Sequence, residues 1–208
     1  MRGLLWKDIL YLKKTGKRIF WFILFFILLG LTKRELLSQL NLVMLIIGMN
    51  FSILPFDCDS KNKWEEYQYA FPVSKKTVVC SRYLFGMMTL LGCFFINVLE
   101  ILFYISIKGN FLDTTSMFIQ VSSLCYLAVL QAITFPMIYL MEIGKARIYA
   151  LVLSVWIVVE STASLFSTML YEKGIFFSAS MMIGSTASFY LLSLLLSVRI
   201  EKNKCNIL

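Results

Sequence analysis

The chain has 208 residues, 59% of them hydrophobic, with 20 Lys/Arg, 12 Asp/Glu, no histidine and a net charge of +8. Soluble domains sit near 45–50% apolar, so this composition, with a mean hydropathy of +0.78, is that of a membrane protein. The lack of histidine excludes His-based triads, His metal sites and His pH switches, and the basic balance fits the positive-inside bias of cytoplasmic loops rather than nucleic-acid binding.

Residues 1–18 hold six Lys/Arg and one Asp. On a helical projection Leu5, Ile9 and Leu12 share a face, with Trp6 and Leu10 beside them. Lys7, Asp8, Tyr11 and Lys14 lie opposite, and Lys13 is the misfit. The pattern predicts an interfacial helix over 1–14, lying in the cytoplasmic headgroup layer. A secretory signal is the competing reading, but the charged region is too long and Leu31–Arg34 offers no small-residue cleavage site.

Six spans follow. The first has an apolar core of thirteen residues, Ile19 to Leu31, and reaches the roughly 20 needed to cross only when Lys17, Arg18, Lys33 and Arg34 snorkel to the surfaces. The second runs from about Leu36 to Phe56, with Pro55 near its exit. The third begins near Thr77 and ends near Ile107, long enough for its first turns to project into the cytoplasm. The fourth covers Thr115 to Met141, with Pro136 as an expected kink. The fifth covers Ile148 to Leu170 and the sixth Ile175 to Val198. Six spans put both termini on one side. If that side is the cytoplasm, sixteen Lys/Arg face inward and four, Lys33, Arg34, Lys108 and Lys173, face outward, which orients the chain. The five cysteines (Cys58, Cys80, Cys93, Cys125, Cys205) avoid the outer loops and are expected as free thiols.

The first cytoplasmic loop, 57–82, reads DCDSKNKWEEYQYAFPVSKKTVVCSR and is the longest polar interruption. Asn62 with Glu65 is a capping pair for a short helix over 61–71, with Asp59 and Ser60 as alternative caps. Pro72 ends that helix at Phe71, and Ser74 caps the next. Cys58 between Asp57 and Asp59 is too weak a ligand set to predict a metal site.

This loop carries a resemblance. An acid-rich start, then W-E-E-Y, then F-P-V-S-K-K-x-x-V-x-x-S-R-Y-L resembles the first cytoplasmic loop of ABC type-2 permeases, the small six-span membrane subunits of ATP-binding-cassette exporters. The motif covers about 30 residues, and the six-span layout extends the likeness along the chain. Lys75 and Arg82 are the less common alternatives at their positions. The resemblance implies an all-α, polytopic single domain over 1–208 in the bacterial cytoplasmic membrane. It implies a coupling helix bearing Lys63, Trp64, Glu65, Glu66, Tyr67, Phe71 and Pro72 that docks on an ATP-binding subunit. A smaller inner contact is implied at Glu142, Lys145 and Arg147, and a second permease, identical or related, as partner.

No G-x-x-x-x-G-K-[ST] phosphate loop, nucleophile elbow, zincin helix or dinucleotide fingerprint occurs. The chain is therefore not expected to be an enzyme or to hold a cofactor or metal, and ATP with Mg belongs on the partner subunit. Two carboxylates, Glu100 and Glu160, sit inside apolar spans, where an ionised group is costly. Either they line a polar path between two permeases, with Glu160 marking a re-entrant break in the fifth span, or they are protonated or hydrogen-bonded packing residues. The small-residue run Gly184–Ser188 is expected at a helix contact or a dimer seam. The Phe-rich run 20–26 is read as lipid-facing surface, with an apolar wall for substrate as the other reading. The expected cargo is amphipathic or lipophilic, a peptide or drug. The alternatives are a proton-coupled carrier using Glu160 and Glu100, weakened by the lack of an inverted repeat, and a membrane immunity or sensor subunit that binds a peptide without transport.

Overall fold

The computed structural model describes residues 3–13, 34–64, 67, 74–108, 114–141, 143–146, 148–149, 152–153 and 175–205. The first span and nearly all of the fifth lie outside the described residues. Every regular element among the described residues is helical: α1 (3–13), α2 (Arg34–Lys61), α3 (Lys75–Lys108), α4 (Thr114–Leu140) and α5 (Ile175–Cys205). The stretches Lys75–Leu99, Gln120–Leu140 and Met182–Lys202 are each long and apolar enough to cross a membrane. The chain is thus a helical polytopic membrane protein.

Helical spacing selects the core. Leu45, Met49, Ile53 and Phe56 line one side of α2, and Val79 and Tyr83 sit a turn apart on α3. Leu127, Leu130, Phe135 and Ile138 come from α4 and Tyr190 from α5. The closest pairing is α4 with α5. Phe135 packs edge-on against Tyr83 with ring centroids 5.0 Å apart, and Tyr83 against Tyr190 at 5.4 Å. On the outward sides, Leu91, Phe95 and Leu99 of α3 and Leu191 and Leu195 of α5 are exposed. Apolar on both sides, these helices suit hydrocarbon.

Two glycines set how closely the helices approach. A Cβ on Gly48 would lie 2.7 Å from Leu127 Cδ2 and 3.0 Å from Cys93 Sγ, and one on Gly86 would lie 2.8 Å from the Tyr190 hydroxyl. Gly184, by contrast, has open space before it, and Ser185, Ala187 and Ser188 are exposed. Within the run the contact with α4 falls on Thr186, which is partly buried and whose side chain hydrogen-bonds with Cys125. The run's hydroxyls also bond back to their own helix, as Ser188 does to Ser185 O.

Two of the three prolines lie inside helices, Pro55 in α2 and Pro136 in α4. Pro136 has no N–H to give the carbonyl four residues back. Ser193 of α5 supplies the missing donor, its Oγ 2.5 Å from Ala132 O. In a medium without water such replacement is required.

Candidate functional site: the polar junction of α1, α2 and α3

The polar stretch is more helical than its composition predicts. α2 continues through Asp57 to Lys61, so Asp59 and Ser60 are interior residues and not helix caps. Lys61 pairs with Asp57 one turn back at 3.5 Å, which is what lets a charged tail extend an apolar helix. The helix closes through Asn62 N–H to Cys58 O and Lys63 N–H to Ser60 O. Lys63 takes a left-handed φ of 50°, the conformation that ends many helices, though glycine or asparagine is the usual occupant. The expected loop 57–82 thus narrows to a connection over 62–74. At its far end Ser74 caps α3 as the sequence predicts, its Oγ accepting from the Thr77 N–H at 3.3 Å.

Because α2 leaves and α3 returns, Asp59 near the end of the one faces Arg82 near the start of the other, and α1 lies across both. Arg82 Nη2 donates to Asp59 Oδ2, while its Nη1 lies 2.6 Å from Asp8 Oδ1. Lys7 Nζ reaches Asp59 Oδ1 at 2.6 Å and Asp8 Oδ1 at 3.9 Å. The Lys7 ammonium also sits 4.4 Å from the centroid of Trp64 and 5.8 Å from that of Tyr11, within cation–π range. Arg82 stacks over Phe56 at 5.4 Å, and Asn62 Nδ2 approaches the Tyr11 hydroxyl at 3.4 Å. Two cations and two carboxylates balance. Asp8, Asp59 and Arg82 are buried, with 0%, 6% and 4% of their surface exposed.

Charges that deep persist only when paired. The pairing is uneven: Asp59 is hydrogen-bonded by both Lys7 and Arg82, whereas Asp8 meets the Arg82 guanidinium at 2.6 Å and Lys7 only at 3.9 Å. Burial pushes the Asp8 carboxyl above its ordinary value, against the opposing pull of Arg82 and Lys7.

α1 forms where the sequence predicts a helix, and two of its charged residues find partners inside the protein. Lys7 and Asp8 turn into the protein, because Asp59 and Arg82 offer them charge partners, while Trp6 and Leu10 are exposed. Ile9 and Leu12 of α1 instead help enclose an apolar cavity of about 240 Å³ with Phe51 of α2 and Phe85, Met88 and Ile96 of α3.

Above the junction a polar network ties the bundle. Gln131 Nε2 donates to Ser52 Oγ at 2.7 Å and Thr89 Oγ1 at 3.1 Å, and the Tyr190 hydroxyl donates to Gln131 Oε1 at 3.4 Å. The Tyr83 hydroxyl lies 2.6 Å from Ser193 Oγ and 2.8 Å from Ser197 Oγ. Four helices are thereby joined by hydrogen bonds, as membrane bundles require in place of a hydrophobic drive.

Of the sequence-predicted site residues, Trp64 is half-buried beneath Lys7, and Lys63 and Tyr67 are exposed. Glu65, Glu66, Phe71 and Pro72 lie outside the described residues. Lys145 is exposed on a helical turn over 143–146, whose Ala146 is buried in the core cluster with Ile143 packed against it. Glu142, Arg147 and Glu160 lie outside the described residues, and Glu100 is on α3 with its side chain undescribed. Sequence reasoning missed the Lys7–Asp8–Asp59–Arg82 set as a unit. The available signal was Asp8, the one acid in a basic N-terminal run, together with an acid before W-E-E-Y and a basic residue before Tyr83.

A family model described as "ABC-2 family transporter protein" matches residues 3–202. No curated protein and no solved structure matches the chain.

Proposed function

The chain belongs to the ABC-2 transporter family, and from that premise we propose that it is the permease subunit of an ATP-driven exporter. It crosses the bacterial cytoplasmic membrane six times with both termini inside, pairs with an identical or related permease, and docks on two ATP-binding subunits that hold ATP and Mg. The observation that carries this reading is the placement of Trp64. It follows the end of α2, opens the polar connection over 62–74, and its ring lies against Lys7, which is bound to Asp59 and through it to Arg82 on α3. A partner gripping this connection has a charged, buried linkage to the start of a membrane helix.

The second inner turn at Lys145 serves as a smaller contact, supported by its seating on the core through Ala146. The cargo is amphipathic or lipophilic, a peptide or drug, a reading supported by the hydrocarbon lining of the cavity beneath α1. Native mass spectrometry of the tagged chain, released gently from its host membrane, tests the assembly. The expected mass includes two permeases and two ATP-binding subunits; a mass of this chain alone overturns the proposal. In the intact complex, Trp64→Ala should leave basal ATP hydrolysis and abolish its link to transport.

A further inference from the structure

We propose that α1 is a moving part of the transport cycle, and that Lys7 and Asp8 are the positioning residues through which the connection after α2 drives it. This rests on the ATPase-docking reading above.

The contacts place α1 between Trp64 and the start of α3. Lys7 takes the Trp64 ring at 4.4 Å on one side and Asp59 Oδ1 at 2.6 Å on the other. The neighbouring Asp8 is held by Arg82 of α3 at 2.6 Å. A shift of Trp64 is therefore felt first by an ammonium on α1, and reaches α3 through the two carboxylates that share Arg82.

Two features suit this set to motion. Its charges balance, so the cations can redistribute between Asp8 and Asp59 without leaving a net buried charge. It is also asymmetric: Asp59 accepts from both Lys7 and Arg82, whereas Asp8 meets Arg82 at 2.6 Å and Lys7 only at 3.9 Å. α1 is thus fastened at two adjacent residues to two different helices, by Lys7 to Asp59 of α2 and by Asp8 to Arg82 of α3.

Movement of α1 has a defined consequence. Ile9 follows Asp8 directly and Leu12 lies one turn on, and both form the wall of the 240 Å³ apolar cavity against α2 and α3. A helix of this length, roughly 16 Å at 1.5 Å per residue, moves as a unit. Tilting it about the Lys7–Asp8 attachment widens or narrows that cavity. The same eleven-residue helix (3–13) thus joins the ATPase-facing connection to an apolar cavity between α1, α2 and α3.

The test uses the native tryptophans. The complex with its ATP-binding subunit is labelled with 5-fluorotryptophan, placed in lipid nanodiscs, and its ¹⁹F spectrum recorded without nucleotide and after trapping with ATP, Mg and vanadate. Trp6→Phe and Trp64→Phe assign the two relevant lines; Trp6 is 64% exposed on α1 and reports on that helix. The wild type should shift both lines on trapping. Lys7→Met and Asp8→Asn should each keep the Trp64 shift and lose the Trp6 shift, and Lys7→Arg should restore it. A merely structural role would alter the resting position of the Trp6 line without removing its response to nucleotide, and would overturn the proposal. A Trp6 line that stays fixed in the wild type while the Trp64 line moves overturns it too and leaves the docking reading intact. A Trp64 line that ignores nucleotide overturns both.

Discussion

Replacing Arg82 by Met removes one of the two cations that balance Asp8 and Asp59. The stem of Met fills most of the space, so the loss is chiefly electrostatic. At an effective dielectric near 20, unit charges 2.6 Å apart, as Arg82 Nη1 and Asp8 Oδ1 are, attract by roughly 6 kcal/mol. Most of that attraction offsets the desolvation of the ions, so the measured cost of leaving an uncompensated buried charge is about 3–5 kcal/mol. Arg82→Met should sit at the upper end, because Arg82 serves two carboxylates and Lys7 alone remains for both. The double variant Asp8→Leu/Arg82→Met restores balance, leaving Asp59 with Lys7 at 2.6 Å. Its cost should fall to about 1 kcal/mol or less, since apolar replacement of a whole buried pair is often neutral or stabilising. Reversible unfolding in mixed detergent–lipid micelles, followed by circular dichroism, reads the three free energies. A single variant costing under about 1 kcal/mol, or a double variant no better than the single, would refute the charge-balance argument.

Four helical positions test the packing. Gly48→Ala, whose Cβ would stand 2.7 Å from Leu127 Cδ2, should destabilise by about 1–3 kcal/mol, whereas Gly92→Ala, with nothing within 4 Å, should be neutral or gain up to about 1 kcal/mol of helix propensity; equal effects in an unfolding titration would contradict the close-approach reading. Ser193→Ala leaves the Ala132 carbonyl without its donor and should cost about 1–3 kcal/mol, but less in a Pro136→Ala background, where the restored N–H at position 136 serves that carbonyl and only the contact with Tyr83, which keeps Ser197, is lost. Additive losses in this pair would show that the proline is not the reason for the bond. Asp8 is raised above 3.8 by burial, with Arg82, Lys7 and Asp59 facing it. The folded state then binds more protons than the unfolded state in the window above 3.8, so wild-type stability relative to Asp8→Asn should rise as pH falls toward 3.8 and level off below it. The opposite slope in paired thermal melts would mean that ion pairing outweighs desolvation at this site.

The spans described here were legible because hydrocarbon imposes a long apolar run, and their limits differ from expectation mainly at polar ends. Ser74 was legible as a cap because its role needs only its own N–H neighbours three and four residues on. Asp59 was not, because the same residue type that caps a helix also extends one when a partner waits across the bundle, and that partner is Arg82, 23 residues away. Lys7 and Asp8 were not legible for a related reason. A helical projection separates charged from apolar residues but does not say which charges find partners, and α1 turns Lys7 and Asp8 toward Asp59 and Arg82 while Ile9 and Leu12 still face the cavity. Arg82 and Tyr83 were visible as a motif pair, yet what each does depends on α1 for the one and α5 for the other, contacts that no local pattern encodes. The adjacent pair spans two environments: Arg82 closes the charged junction with Asp8 and Asp59, and Tyr83 reaches Ser193 and Ser197 in the bundle. Any rotation of α3 that loosens the first contact must also strain the second, so the junction and the membrane bundle cannot rearrange independently.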